Sequence, residues 1–356
     1  MKIEALGWKT ANEKDFEEFR KRGLIPARII KEARHLYEAD AGNGSLQAQV
    51  SGRFIFESES RADYPTIGDW VACRDGGGIL IIEELLPRKS RFSRKEAGVL
   101  TEEQIIAANI DYLCIVCGLD GGRNFSLRGI ERYLSMAREG GASPVIVLNK
   151  CDIAEDRAKA VSEARNIAGD AQVFAVSALT GEGVDELLNK FDPFSTIAFS
   201  GPSGVGKSAL VNSLLGEGYM KTGIQREDDL RGRHTTTHKE LVVLKNGVML
   251  IDTPGLRELQ LWGGQESLNS SFTDILEAAS DCRFTDCTHN GEPGCAVAKL
   301  VESGVISEAR YMNYLDMKAE LVYLESRLSE KGHLERKKKE KDLSRLVKLY
   351  ARDHRK

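Results

Sequence analysis

Hydrophobic and polar positions divide the 356-residue chain into stretches of different period. Between residues 105 and 260, short apolar runs alternate with amphipathic segments, the pattern of a parallel α/β sheet. Strands are predicted at Tyr112–Gly118, Pro144–Asn149, Val173–Ser177, Thr196–Ser200, Glu240–Leu244 and Val248–Asp252. Helices are predicted at Leu127–Glu139, around Ala158–Ala168 and at Lys207–Leu215. Residues 26–90 read instead as short strands between turn signals: Ala27–Tyr37, Leu46–Phe56, Ile67–Cys73 and Ile79–Leu86, with turns at Gly42-Asn43-Gly44 and Gly76-Gly77-Gly78. That spacing predicts a small all-β barrel of OB or SH3 type, and periodicity does not choose between them. A helical lead-in over 1–25 sets Phe16 and Phe19 on one face. Residues 263–356 are mostly helical, with Tyr311, Tyr314, Leu315, Leu321, Leu324 and Leu328 as a core stripe and Leu343, Leu346, Val347 and Tyr350 as a second. The expected architecture is multidomain α/β: an OB-like barrel with its lead-in (1–95), a sheet domain (96–262) and a helical domain (263–356).

The sheet domain carries candidate chemistry at its strand ends. Gly201-Pro202-Ser203-Gly204-Val205-Gly206-Lys207-Ser208 matches G-x-x-x-x-G-K-S. An apolar strand enters it and a helix beginning with Ala209-Leu210-Val211 leaves it, as a phosphate loop requires. Glycines let backbone N–H groups converge on phosphate oxygens, and the helix N-terminus adds positive character. Lys207 is expected to bridge β- and γ-phosphates as a catalytic cation, Ser208 to bind Mg²⁺, and the Ala209 N–H to reach the α-phosphate. Asp252-Thr253-Pro254-Gly255 ends another apolar strand and fits D-x-x-G. Asp252 points to Mg²⁺ through water, and the Gly255 N–H to the γ-phosphate.

Asn149-Lys150-Cys151-Asp152 fits N-K-x-D. A carboxylate at Asp152 accepts from guanine N1–H and the exocyclic amine together, a pair of donors adenine lacks. The Lys150 stem covers the base and Asn149 ties the loop to the phosphate side. In Ser177-Ala178-Leu179, which follows the next strand, the Ala178 N–H is placed to meet guanine O6. The base-reading motifs thus precede the phosphate-reading ones, the reverse of an ordinary small GTPase. A circularly permuted P-loop GTPase domain is expected, because the site is built from loops at one sheet edge and sheet order need not follow chain order.

Between loop and switch, Arg231-Gly232-Arg233-His234-Thr235-Thr236-Thr237-His238 reads as the first switch. Thr236 is favoured to complete the Mg²⁺ shell, with Thr235 and Thr237 beside it. Many GTPases orient the attacking water with a glutamine after D-x-x-G; that position here is Leu256. His234 is the local catalytic candidate, and a surface histidine is the alternative. Arg231 and Arg233 suit either transition-state charge or a partner's phosphates.

Cys282-x₄-Cys287-x-His289-x₅-Cys295 gathers three thiols and an imidazole in fourteen residues. Zn²⁺ commonly takes such a tetrahedral set, which leaves no open position, so one structural Zn²⁺ is expected. A reactive thiol cluster is the alternative. Cys114 and Cys117 share a strand and point to opposite faces, which reads as buried core.

Composition narrows the class. Seven cysteines without a secretory signal argue against a disulfide framework. No apolar run approaches the roughly 18 residues of a membrane helix, and 1–19 lacks a signal-peptide core. A soluble cytoplasmic monomer, not a membrane protein, is expected. Net charge is −4, but Lys331–Lys356 carries eleven Lys/Arg against four Asp/Glu. A basic tail on an acidic body suits an anionic partner or a solvated helix. The basic stretch 87–96 reads as a linker able to touch nucleic acid, or as an ordinary connection.

The motif order N-K-x-D, S-A-L, G-x-x-x-x-G-K-S, T-T-T, D-T-P-G, then Cys-x₄-Cys-x-His-x₅-Cys, resembles the RsgA family of circularly permuted bacterial GTPases, also called YjeQ or YloQ. Gly68-Asp69-Trp70-Val71 matches the family's OB domain, and the resemblance covers roughly 26–300. It implies a GTPase acting late in small-ribosomal-subunit assembly and stimulated by that subunit. It also implies Zn²⁺ on Cys282, Cys287, His289 and Cys295; His234 matches a family histidine proposed for hydrolysis. The leading expectation is a switch that hydrolyses GTP to GDP while binding 16S rRNA in the small subunit. The alternative is a GTP-dependent scaffold for a non-ribosomal protein docked on the zinc domain. An ATP-using kinase is disfavoured by Asn149 and Asp152.

Overall fold

The structure, a computed structural model, describes residues 2–33, 36–95, 103–121, 124–215, 239–253, 256, 268–269 and 271–322. Two compact units emerge: Met1–Arg94 with Glu103–Leu261, and Lys95–Glu102 with Trp262–Lys356.

The first unit opens with a short turn at Ile3–Leu6 and helix α1 (Thr10–Lys21). Phe16 is fully buried with Leu6, Leu24, Trp70 and Leu86, and Phe19 packs beside them. Strands β1 (Ile25–Ala33), β2 (Leu36–Asp40), β3 (Ser45–Val50), β4 (Trp70–Asp75) and β5 (Leu80–Leu85) follow, with α2 (Gly52–Glu57) between β3 and β4. Their order is β1-β2-β3-β5-β4, closed by β4 pairing with β1, and β3 runs parallel to β5. This is an OB-type barrel, which resolves the choice periodicity left open.

Two strand expectations are corrected. Ala27–Tyr37 is not one strand but parts of two antiparallel ones, β1 ending at Ala33 and β2 beginning at Leu36. Leu46–Phe56 stops being strand at Val50. The Ser51 hydroxyl accepts from the Phe54 N–H at 3.1 Å and starts α2, which buries Phe54 and leaves Phe56 exposed. A local cap here outweighs β-propensity.

Of the basic stretch, residues 87–95 are described, and Arg88 ties it into the fold. Arg88 grips the fully buried Asp69 through two nitrogens (2.9 and 2.8 Å) and donates to the Ala62 and Tyr64 carbonyls, each at 2.7 Å. Burial raises the Asp69 carboxyl pKa, and Arg88 opposes the rise. β6 (Arg91–Lys95) then pairs with β7 (Glu103–Ala108). Arg88→Met is expected to destabilise the protein by about 3–5 kcal/mol, because it strands a buried carboxylate. Urea denaturation checks this; Arg53→Ala, which breaks a surface pair with Glu57, should leave the midpoint nearly unmoved.

The sheet domain is built from β8 (Tyr112–Gly118), α3 (Leu127–Glu139), β9 (Ser143–Asn149), α4 (Arg157–Ala168), β10 (Gln172–Ala175), α5 (Val184–Asn189), β11 (Thr196–Ser200), α6 (Lys207–Leu215), β12 (Lys239–Val243) and β13 (Met249–Asp252). The order is β10-β9-β8-β11-β13-β12, parallel except for β12. β8 and β11 meet in the middle, so the two halves of the domain join there although the later half in the chain begins with β11. Cys114 belongs to the core on one face of the sheet and Cys117 to the core on the other.

The sheet does not end at β12. Lys31 of β1 pairs with Glu240, and Glu32 with Lys239, so one continuous sheet of eleven strands joins barrel and α/β domain. Lys239 Nζ lies 2.8 Å from the Glu32 carboxylate. Nearby, the buried Arg28 guanidinium donates to the Leu6 carbonyl and to Thr196 Oγ1 at 2.9 Å, and stacks over Trp70. Burial pushes its pKa down to about 10, which still leaves it charged at neutral pH.

The second unit contains α7 (Thr273–Ala279), α8 (Ala296–Glu302) and a helix over 308–322. Of the first stripe, Tyr314 and Leu321 are buried and Tyr311 and Leu315 half-buried; Met317, outside the stripe, is buried too. Leu324, Leu328, the second stripe and the basic tail lie outside the described residues. Among the described residues, no helix is long and apolar enough to cross a membrane.

Candidate nucleotide site and metal centre

β11 delivers the chain into Gly201–Gly206, and α6 begins at Lys207. Two of these glycines are obligatory. At Gly201 (φ +136°) a Cβ would stand 2.2 Å from the Val116 carbonyl; at Gly206 (φ +94°) it would stand 2.3 Å from Asn149 Nδ2. Pro202, Ser203 and Gly204 are exposed at the tip, Val205 is buried beneath it, and Ala209 follows in the first turn of α6. Lys207 is buried, and its ammonium donates to the Gly201 and Pro202 carbonyls at 2.6 and 2.5 Å. Ser208 and Asp252 share a narrow crevice between α6 and β13 with Lys207 and Thr253.

The N-K-x-D loop arrives from β9, in the same parallel sheet. Asn149 is buried and joins three loops: its Nδ2 donates to the Val205 carbonyl at 2.9 Å and its Oδ1 accepts from the Ala178 N–H at 3.0 Å. Lys150 donates to the Gly204 carbonyl at 2.8 Å. Cys151 is buried and its N–H donates to Val176, while Asp152 is exposed. Ser177 is buried and caps the turn that follows, accepting from Thr180 N–H at 3.1 Å. The N-K-x-D loop, the Ser177–Leu179 turn and the Gly201–Gly206 loop, separated in sequence, therefore form one constellation. Asp120 and Asn124, beside Lys150, belong to it too, and no motif announced them. Their sequence signal was only their place just after a strand end.

His234, Thr235, Thr236, Thr237 and Gly255 lie outside the described residues. Leu256 is buried, and its carbonyl accepts from Ser200 Oγ at 2.6 Å.

In the second unit, Cys282, Cys287, His289 and Cys295 bring their ligand atoms within 4.8 Å of one another. His289 Nδ1 lies 3.6 Å from both Cys282 Sγ and Cys295 Sγ, and those two sulfurs are 3.9 Å apart. A tetrahedron with about 2.3 Å metal–sulfur and about 2.0–2.1 Å metal–nitrogen legs has edges of about 3.8 Å and about 3.6 Å, so Cys282, His289 and Cys295 match such an ion, with the Cys287 sulfur within 4.8 Å of them. The loop is prepared for it. Glu292 accepts from Thr288 and from the Asn290 N–H, bonds that hold its carboxyl pKa down to about 2, with the Thr288 hydroxyl the largest contributor. His289 itself takes φ +67°.

Comparisons with known proteins bear on the family and the fold. The model of the RsgA GTPase family matches residues 85–262. The small ribosomal subunit biogenesis GTPase RsgA of Opitutus terrae is 40% identical over 339 residues, covering 92% of each chain. The chain belongs to the RsgA family of GTPases. This RsgA-family chain also resembles the crystal structure of YjeQ from Thermotoga maritima, with a TM-score of 0.65, 27% identity, and 84% and 99% of the two chains covered. The fold of YloQ, a circularly permuted GTPase, matches with a TM-score of 0.59 at 23% identity, over 85% and 96%. As a GTPase of the RsgA family it takes GTP and GDP with Mg²⁺, and its Cys₃His cluster has the donors to hold a metal ion.

Proposed function

We propose that this chain is a switch for assembly of the small ribosomal subunit, hydrolysing GTP to GDP while bound to that subunit and its 16S rRNA. The observation that carries the nucleotide part is Asn149, whose one amide ties the base-reading loop both to the phosphate loop and to Ala178. The ribosomal part is supported by the names of relatives that align along nearly the whole chain.

In this reading Asp152 reads guanine, the Lys150 stem covers the base and Ala178 meets O6. The Gly201–Gly206 loop and Ala209 wrap the phosphates, Lys207 neutralises β/γ charge, and Ser208, Thr236 and Asp252 surround Mg²⁺. Gly255 senses the γ-phosphate and His234 orients water. The Cys₃His set holds Zn²⁺ as a structural ion. The OB barrel, a common RNA platform, and the basic tail supply the rRNA contacts. The functional division is 1–95, 96–262 and 263–356, and the protein works as a cytoplasmic monomer.

The test is GTP turnover with and without purified ribosomal subunits, with Lys207→Ala as the blank. Strong stimulation by the small subunit and little by the large one is the expected result. Turnover indifferent to both would remove the ribosome and leave a GTPase that serves a protein partner.

A further inference from the structure

β8 ends at Gly118, and two residues later Asp120 turns its carboxylate back onto the base-reading loop. Lys150 Nζ lies 2.5 Å from Asp120 Oδ2 and 2.8 Å from the Gly204 carbonyl of the phosphate loop. One ammonium thus spans both halves of the site. Asn124 holds the carboxylate from its other side, its Nδ2 lying 3.3 and 3.2 Å from the two oxygens. The Asn124 carbonyl in turn accepts from the Gly118 N–H at 3.2 Å. The junction has no slack: a Cβ on Gly118 would stand 3.2 Å from Asn124 Cβ, 3.2 Å from Asp120 Oδ1 and 3.5 Å from Val205 Cα.

Lys150 also takes φ +64°. A long side chain in the left-handed region persists only where its surroundings over-determine it. Here they do so through the two side-chain anchors, Asp120 and Gly204. The side chains of Lys150 and Asp120 are only 28% and 21% exposed, so the pair is screened less than a surface pair.

We infer that Asp120 is the positioning residue of the base clamp: through Lys150 it locks the base-reading loop onto the phosphate loop and sets how long guanine nucleotide stays bound. This rests on the reading of Asn149–Asp152 as a guanine clamp. Asp120 is placed to act on Lys150 rather than on the reacting phosphates. Its contribution is therefore the same in the ground state and the transition state, and its loss should raise KM without lowering kcat. The lock closes equally over GDP and GTP, so release of both should speed up together. Choice of base belongs to Asp152 and should not change.

The experiment uses the full chain and fluorescent GDP. Asp120→Asn is expected to speed GDP release about ten-fold and to raise KM for GTP by a similar factor, with kcat within about two-fold. Lys150→Met, which also loses the Gly204 bond, should speed release at least as much, and adding Asp120→Asn to it should change little, because the Asp120 link is already gone. Asp120→Glu should recover much of the slow release, which a merely structural role for the loop would not predict. Asn124→Ala keeps both charges and should accelerate release more weakly; it reads the same link should Asp120→Asn fail to fold. Wild-type release rates in Asp120→Asn and Asn124→Ala, or additive effects of Asp120→Asn and Lys150→Met, overturn the inference while guanine preference stands. A wild-type chain that binds ADP as well as GDP overturns the clamp reading itself, and the inference with it.

Discussion

Lys207→Ala is expected to lower kcat for GTP by about 10²–10³-fold, the usual loss when one preorganised charge is taken from a site of developing negative charge. Among the described residues, Lys207 is the lysine held inside the loop. The Lys207 stem is buried under the loop, and its ammonium already lies within the arc of Gly201–Gly206, on the Gly201 and Pro202 carbonyls. In the proposed reading, a short rotation would bring it to phosphates held by the same loop. Lys150, a second lysine beside this loop, is committed to Asp120 and Gly204. Single-turnover hydrolysis at saturating GTP measures the loss, and an unchanged circular dichroism spectrum separates it from unfolding. Turnover within about two-fold of wild type would move the phosphate site elsewhere.

Metal removal should have the larger effect on the second unit. Among the described residues of this unit, the buried apolar side chains include Phe272, Ile275, Val297, Tyr314 and Met317. A structural Zn²⁺ supplies an apparent 10–16 kcal/mol (about, at pH 7) to small domains of this kind, against a typical domain stability of about 5–15 kcal/mol. Chelation, or Cys295→Ser, is therefore expected to unfold 272–322. Cys295 is doubly placed for this: it is a candidate ligand, and its sulfur accepts from the Ala298 N–H at the start of α8. Hydrogen exchange should show lost protection across 272–322 with GDP binding retained. Protection that survives chelation would make the cluster a thiol site rather than a folding element.

The sequence made some of this legible for identifiable reasons. β8, α3, β11 and α6 begin and end where the apolar pattern said. Each is a strong periodic run, and α3 carries its own start signal in Ser126, which accepts from the Gly129 N–H. The Asn149 bridge was legible because the chemistry of the motif demands it. What escaped was the geometry that depends on distant partners. Arg88 looked like one charge in a basic run, since nothing local marks Asp69 as its partner. Asp120 belongs to no motif, and its partner Lys150 lies thirty residues on. α5 is a six-residue helix with Gly183 before it and no side-chain cap, too short for its period to register. At 46–56 the sequence alternates well enough for a strand, and one serine hydroxyl decided otherwise.

The continuous sheet also bears on how the protein is made. Lys31 and Glu32 leave the ribosome long before Glu240 and Lys239, by roughly 10–40 s at about 5–20 residues per second. Throughout that interval a stretch of β1 is an unpaired edge, the kind of surface that recruits wrong strands. The two residues there carry opposite charges, which discourages casual pairing. They also encode the partner: in register, Lys31 faces Glu240 and Glu32 faces Lys239. A slip of one residue either way would set lysine against lysine or glutamate against glutamate. The same four side chains that join barrel to sheet thus act earlier, as guard and as address, while the nascent chain waits for its last strands.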